Sequence, residues 1–157
     1  MRTAAVVDGA IAGAVGSAVL NAVSYLDMVL RARPASSTPE SVAGRLADVT
    51  HVDLGQDQQA ANRRSGLGPF LGYATGIAAG AAFGVLAAHR RIPLPLATLL
   101  LGGGVMATSD GSMTLLGVTD PRTWRRSDWV SDLIPHLAYG LSAAATWRRL
   151  RPTSARG

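Results

Sequence analysis

The chain has 157 residues, 48% of them hydrophobic and only 16% charged, with a formal net charge of +5 and a mean hydropathy of +0.21, which is one domain's worth of protein. Every basic residue is Arg, and there is neither Lys nor Cys. That excludes Schiff-base chemistry on a lysine, a disulfide framework, a thiolate nucleophile and cysteine-ligated clusters.

The first apolar segment covers about residues 4–30, with Asp8 near its start, Asp27 near its end and no charge between Gly9 and Leu26. It exceeds the roughly 20 apolar residues that cross a bilayer. Arg2 is a thin basic region and there is no cleavage-site pattern after it, so the segment is expected to persist as a helix and not to be removed as a secretory signal. Residues 31–65 form the one long loop. Ser37 and Glu40 stand there at capping-box spacing with Pro39 in the first turn, which predicts a short helix. Val42, Leu46 and Val49 fall on one face of it, as expected of an amphipathic helix lying on the membrane surface. The polar stretch 53–64 is expected to be mobile.

The second apolar segment, 66–88, is uncharged throughout and carries Gly68, Gly72, Gly76, Gly80 and Gly84 at every fourth position. In water each glycine costs a helix about 1 kcal/mol relative to Ala. In a bilayer, small residues at this spacing let two backbones approach closely enough for dispersion contacts to accumulate. The row drifts by about 40° per step, so it forms a slanting ridge able to serve two neighbours. The first helix, with Gly9, Gly13 and Gly16, is its expected partner; the alternative is a self-association surface.

A tight turn at His89–Pro93 leads into the third segment, 92–118, interrupted only by Asp110. Its Gly102, Gly103 and Gly104 predict a bend or a close crossing. The connection 119–128 opens with Asp120-Pro121 and carries Trp124, with Trp129 just beyond, both expected at headgroup level. The fourth segment, 129–147, contains Pro135 and His136. Proline has no N–H for the carbonyl of Ser131, so a kink is expected near His136. Arg148, Arg149 and Arg151 complement the helix C-terminus and lipid phosphates, and no nucleic-acid partner is expected.

The fold class read from this pattern is all-α: one integral membrane domain, 1–157, of four transmembrane helices with a short surface helix in the first loop. The acidic residues outside the spans all fall on the long-loop side, which places the termini in the cytoplasm. A rise of 1.5 Å per residue puts Asn21, Tyr73, Asp110 and His136 all at about 10–14 Å depth from the long-loop side. Ionisable groups there cost about 2.5–3.5 kcal/mol on insertion scales and must find partners. Asp110 and His136 are the candidate pair, and Tyr139 adds a hydroxyl one turn on. The pair either closes an interhelical hydrogen-bond network or relays protons. One His and one Asp are too few ligands for a metal, and His51 and His89 lie in loops. The catalytic motif searches are empty: there is no phosphate-binding loop, HExxH, nucleophile elbow or dinucleotide fingerprint.

The segments Leu116-Gly117-Val118-Thr119-Asp120-Pro121, Trp129, Ser131, Asp132, His136-Leu137 and Arg148-Arg149 resemble the C-terminal part of the YagU-like family of small bacterial inner-membrane proteins. Residues 33–40 are similar to that family's proline-rich segment after its first helix, while the short central loop departs from its longer polar insertions. The resemblance implies a multi-pass protein of the bacterial inner membrane with no established activity. The expected function is therefore a structural or accessory helix-packing protein, not an enzyme and without a cofactor. Its expected partners are the lipid bilayer and either a membrane protein or further copies of itself. The alternative is a small proton-linked channel or transporter using Asp110 and His136.

Overall fold

The computed structural model describes residues 2–151, and among them every regular element is helical. Helix α1 (Arg2–Arg31) is followed by α2 (Thr38–Thr50), α3 (Asp57–Ala87), α4 (Leu94–Leu115), a 3-10 turn at Pro121–Thr123 and α5 (Arg126–Leu150). Two stretches, Thr3–Arg31 and Asp57–Ala87, are long and apolar enough to cross a membrane. Only 33% and 28% of their apolar windows are buried inside the molecule, so most of that surface faces outward.

The long helices run alternately up and down, but chain neighbours are not always packing neighbours. Helix α1 packs against both α3 and α5, α4 packs mainly against α5, and the consecutive pair α3 and α4 make few contacts. The interior is built from small residues. Ala5, Ala12, Ala87, Ala97, Ala143 and Ala144 are buried with Phe83, Leu101, Val105, Tyr139 and Trp147. Phe83 and Trp147 meet edge to face at 5.9 Å, and the Arg151 guanidinium covers Trp147 at 5.3 Å.

Glycine sets the distance between α1 and α3. A Cβ built on Gly9 or Gly13 would collide with the carbonyl oxygens of Gly80 and Gly76, and one on Gly84 with that of Ala5. The drift of the row is visible in its other members. Gly68 lies against Pro39 of α2, with the Pro39 carbonyl carbon 2.7 Å from where its Cβ would be, whereas a Cβ on Gly72 would meet nothing within 4 Å.

The long loop differs from its sequence reading in two respects. Helix α3 begins at Asp57, so 57–64 is helical and not a mobile polar stretch. Gln, Ala and Arg are good helix formers, and α2 packs on this extension. Helix α2 forms where expected, but Ser37 is itself helical and makes no side-chain cap. The Thr38 N–H donates to Ser36 Oγ instead, at 3.2 Å. The seam is Ala43 and Ala47, both buried, whereas Val49 is 66% exposed, because close helix contact selects small side chains.

Helices α1, α2 and α4 end alike. Ala32, His51 and Gly117 adopt left-handed backbone, and the next N–H in each case reaches back to the carbonyls of Met28, Ala47 and Met113, the Schellman arrangement. Helix α5 begins three residues before its predicted start. The Arg125 N–H donates to Asp128 Oδ2 at 3.0 Å, and this bond, followed by the Arg125 side chain, holds the Asp128 carboxyl below the usual aspartate value. Asp120 is likewise lowered by Arg122, across 2.9 Å from Arg122 Nε to Asp120 Oδ1. Trp124 and Trp129 meet at 5.0 Å, and α5 continues through Pro135 as one helix.

Candidate functional site: a buried carboxyl and imidazole cluster

Helices α4 and α5 touch backbone to backbone at Gly102 and Gly140. A Cβ on Gly102 would stand 2.5 Å from the carbonyl oxygen of His136, and one on Gly140 would be 2.7 Å from the amide nitrogen of Gly102. With the axes held this close, side chains farther along the same seam are forced together. Toward the long-loop end those side chains are ionisable.

Asp110 of α4 and His136 of α5 are each only 9% exposed. His136 turns first to its own helix, with Nδ1 2.8 Å from the carbonyl oxygen of Asp132 and 3.3 Å from Asp132 Oδ1. A carbonyl oxygen only accepts, so Nδ1 carries the hydrogen and a neutral ring leaves Nε2 as its acceptor. Asp132 and His136 both stand near enough to Asp110 to act electrostatically on its carboxyl. Ser109 Oγ donates to Asp110 Oδ1 at 3.4 Å. Asp132 Oδ2 is buried and receives no N–H or O–H from a neighbour. The cluster therefore gathers two carboxyl groups and one imidazole, with His136 bonded to Asp132 and Asp110 bonded to Ser109.

Its outer edge is basic. Arg31 of α1 contacts Ser131 Oγ, next to Asp132, and pairs with Asp27 at 3.4 Å. Arg33 Nε reaches the other oxygen of Asp27 at 2.5 Å.

The remaining candidate residues lie elsewhere. Tyr139 is completely buried, but it points away from the cluster: its ring lies against Gly16 and its hydroxyl donates to the carbonyl oxygen of Gly76 at 2.6 Å. It joins α5 to α1 and α3. Tyr73 is 39% exposed and stands on α3, which makes few contacts with α4. Asn21 is half-buried on α1, and among the described residues no side chain hydrogen-bonds to it. Equal depth did not mean adjacency. Asp132 is the member that depth alone missed; the Asp132–His136 spacing of four residues, one helical turn, was the available signal. Among the described residues no group of three His, Cys, Asp or Glu side chains is arranged to hold a metal ion.

Comparison with known proteins finds no family model, no curated protein and no solved structure that matches this chain.

Proposed function

We propose that this chain is a small four-span protein of the bacterial inner membrane, with both termini cytoplasmic, that acts through helix packing as a structural or accessory subunit. One observation supports it above all: the bundle is built inside out. Large apolar side chains point outward on all four long helices, among them Val7, Ile11, Phe70, Leu86, Leu99, Leu100, Ile134 and Leu141. The seams are lined instead by glycine and alanine. A soluble monomer rarely exposes so much contiguous apolar surface, whereas in lipid the aliphatic side chains are solvated by acyl chains and close packing falls to small residues. Helix α4, of 22 residues, is about 33 Å long at 1.5 Å per residue, enough to cross with its outward leucines. Kinship with the YagU-like proteins belongs to the same proposal and rests on the quoted sequence segments. Washing membranes with alkaline carbonate tests the membrane assignment: the chain is expected in the pellet, and its release without detergent would refute a transmembrane bundle.

A second function, proton-linked transport, is favoured by one specific feature, the gathering of Asp110 and Asp132 beside His136. Replacing Asp110 by Asn keeps a polar side chain of the same size while removing the exchangeable proton. In sealed vesicles with a pH-sensitive dye, a proton-linked protein loses flux on this change, whereas a packing protein shows no flux before or after it.

A further inference from the structure

An open surface groove of about 480 Å³ lies apart from the buried cluster, between α2, the N-terminal extension of α3 and the connection from α4 to α5. Its volume falls within the range of about 300–1,000 Å³ typical of small-ligand sites. Four charged side chains line it: Glu40, Arg45 and Asp48 from α2, and Arg64 from α3. Glu40, Gly44 and Asp48 succeed one another at intervals of one turn, so a single face of α2 is turned to the groove while its Ala43 and Ala47 are buried.

The two guanidinium groups come from different elements and both extend over the groove. The Arg64 stem crosses α2 at Gly44, with its Cδ 3.2 Å from where a Cβ on that glycine would be. Arg45 reaches the other wall, its Nη2 3.9 Å from the corresponding point on Gly117. Among the described residues none of the four charged groups has an ion-pair partner within 4.0 Å. Two cations and two anions thus share one groove without neutralising each other directly. The site lies at the edge of the apolar layer, since Arg64 stands just before the uncharged stretch of α3 and Gly117 just after the end of α4.

From this arrangement we infer that the groove binds the headgroup of a zwitterionic phospholipid bearing a primary ammonium, of the phosphoethanolamine type. The phosphate lies between Arg45 and Arg64, where guanidinium groups offer paired N–H donors. The ammonium is held by Glu40 or by Asp48, which stand about 12 Å apart along α2, and each carboxylate offers an acceptor to N–H donors that a quaternary choline lacks. This assignment rests on the proposed membrane location of the chain.

Native mass spectrometry tests it. The detergent-solubilised full-length protein is incubated with equal amounts of phosphatidylethanolamine, phosphatidylglycerol and phosphatidylcholine carrying identical acyl chains. The protein is expected to retain the ethanolamine lipid in preference to both others. Glu40→Gln with Asp48→Asn should remove the preference over phosphatidylcholine, and Arg45→Ala with Arg64→Ala should weaken retention about tenfold, the worth of one charge-assisted hydrogen bond. Circular dichroism of both double variants should match the wild type, because Glu40, Arg45 and Asp48 are exposed and Arg64 is only half-buried. Equal retention of all three lipids, or a preference indifferent to both double variants, overturns the inference. Displacement of the lipid by equimolar glycerophosphoethanolamine assigns the site to a soluble ester and overturns the lipid assignment. A chain that stays in alkali-washed membranes yet shows no headgroup preference refutes the headgroup site alone; a chain released by alkali refutes the membrane location on which it depends.

Discussion

The seam between α1 and α3 sets glycine against backbone, whereas that between α4 and α5 also buries Asp110 and His136. Both begin with the same device, glycine opposite backbone, at Gly9, Gly13, Gly76 and Gly80 in one case and at Gly102 and Gly140 in the other. Beyond those glycines the two diverge. Helix α1 is held from two sides, by α3 and α5, while α4 has one main partner and buries Asp110 against it. Close backbone approach thus gives rigidity in the first seam. In the second it brings the buried Asp110 and His136 together, with Asp132 bonded to the imidazole.

Gly80→Leu should have the greatest effect, because its new side chain meets Gly13 backbone atoms 2.7 Å from the Cβ position as well as the Gly9 carbonyl. Helix axes must separate, which exceeds the usual overpacking cost of about 1–3 kcal/mol, so thermal unfolding in detergent should show loss of the folded bundle. Gly72→Leu is its internal control: nothing lies within 4 Å of the added Cβ, and the unfolding midpoint should stay near the wild-type value. Since Leu is the better helix former at either position, equal damage from both substitutions would show that the α1–α3 contact is not what decides.

The ionisable seam should respond to chemistry more than to size. Asp110→Leu removes the carboxyl that accepts from Ser109 and stands beside His136, and should cost about 1–3 kcal/mol, read from chemical unfolding in detergent. Asp110→Asn retains an acceptor for Ser109 and should cost clearly less. A larger loss with Asn than with Leu would show that the bond from Ser109 is not what Asp110 contributes. Tyr139→Phe removes one hydroxyl bond to Gly76 while leaving the ring on Gly16, and should cost about 1 kcal/mol or less. Asp128→Ala should have the smallest effect, confined to the exposed start of α5. The folded Asp128 carboxyl sits below its ordinary value of 3.8, so its contribution is present above that value and disappears as pH falls through the lowered one. Melting curves of wild type and variant should therefore differ slightly at pH 7 and converge in strong acid.

How much of the molecule was legible in the sequence depended on whether the signal was periodic. The helical class and the positions of α1, α3, α4 and α5 are given by apolar stretches and by turn residues such as Pro93 and Asp120-Pro121. The start of α3 was not, because polar residues 57–64 form helix as readily as apolar ones. The packing face of α2 was not foreseen, because Val42, Leu46 and Val49 were read as its membrane-facing side, whereas close contact with α3 selects Ala43 and Ala47. For the site, depth along each helix brought Asp110 and His136 to one level. It carried no information about which helices are neighbours, and that is why Tyr73 and Asn21 were grouped with them while Asp132 was not.

The proposed four-span arrangement is most directly tested by cysteine accessibility, since the chain has no native cysteine. Single cysteines at Ser36, Arg90 and Thr123, all exposed, are probed in sealed cells with a membrane-impermeant maleimide. Ser36→Cys and Thr123→Cys should label from outside the cell and Arg90→Cys only after permeabilisation, with Leu99→Cys on the outward side of α4 remaining unlabelled in both. Labelling of Arg90→Cys and Thr123→Cys from the same side would show that α4 does not cross the membrane and would overturn the four-span bundle.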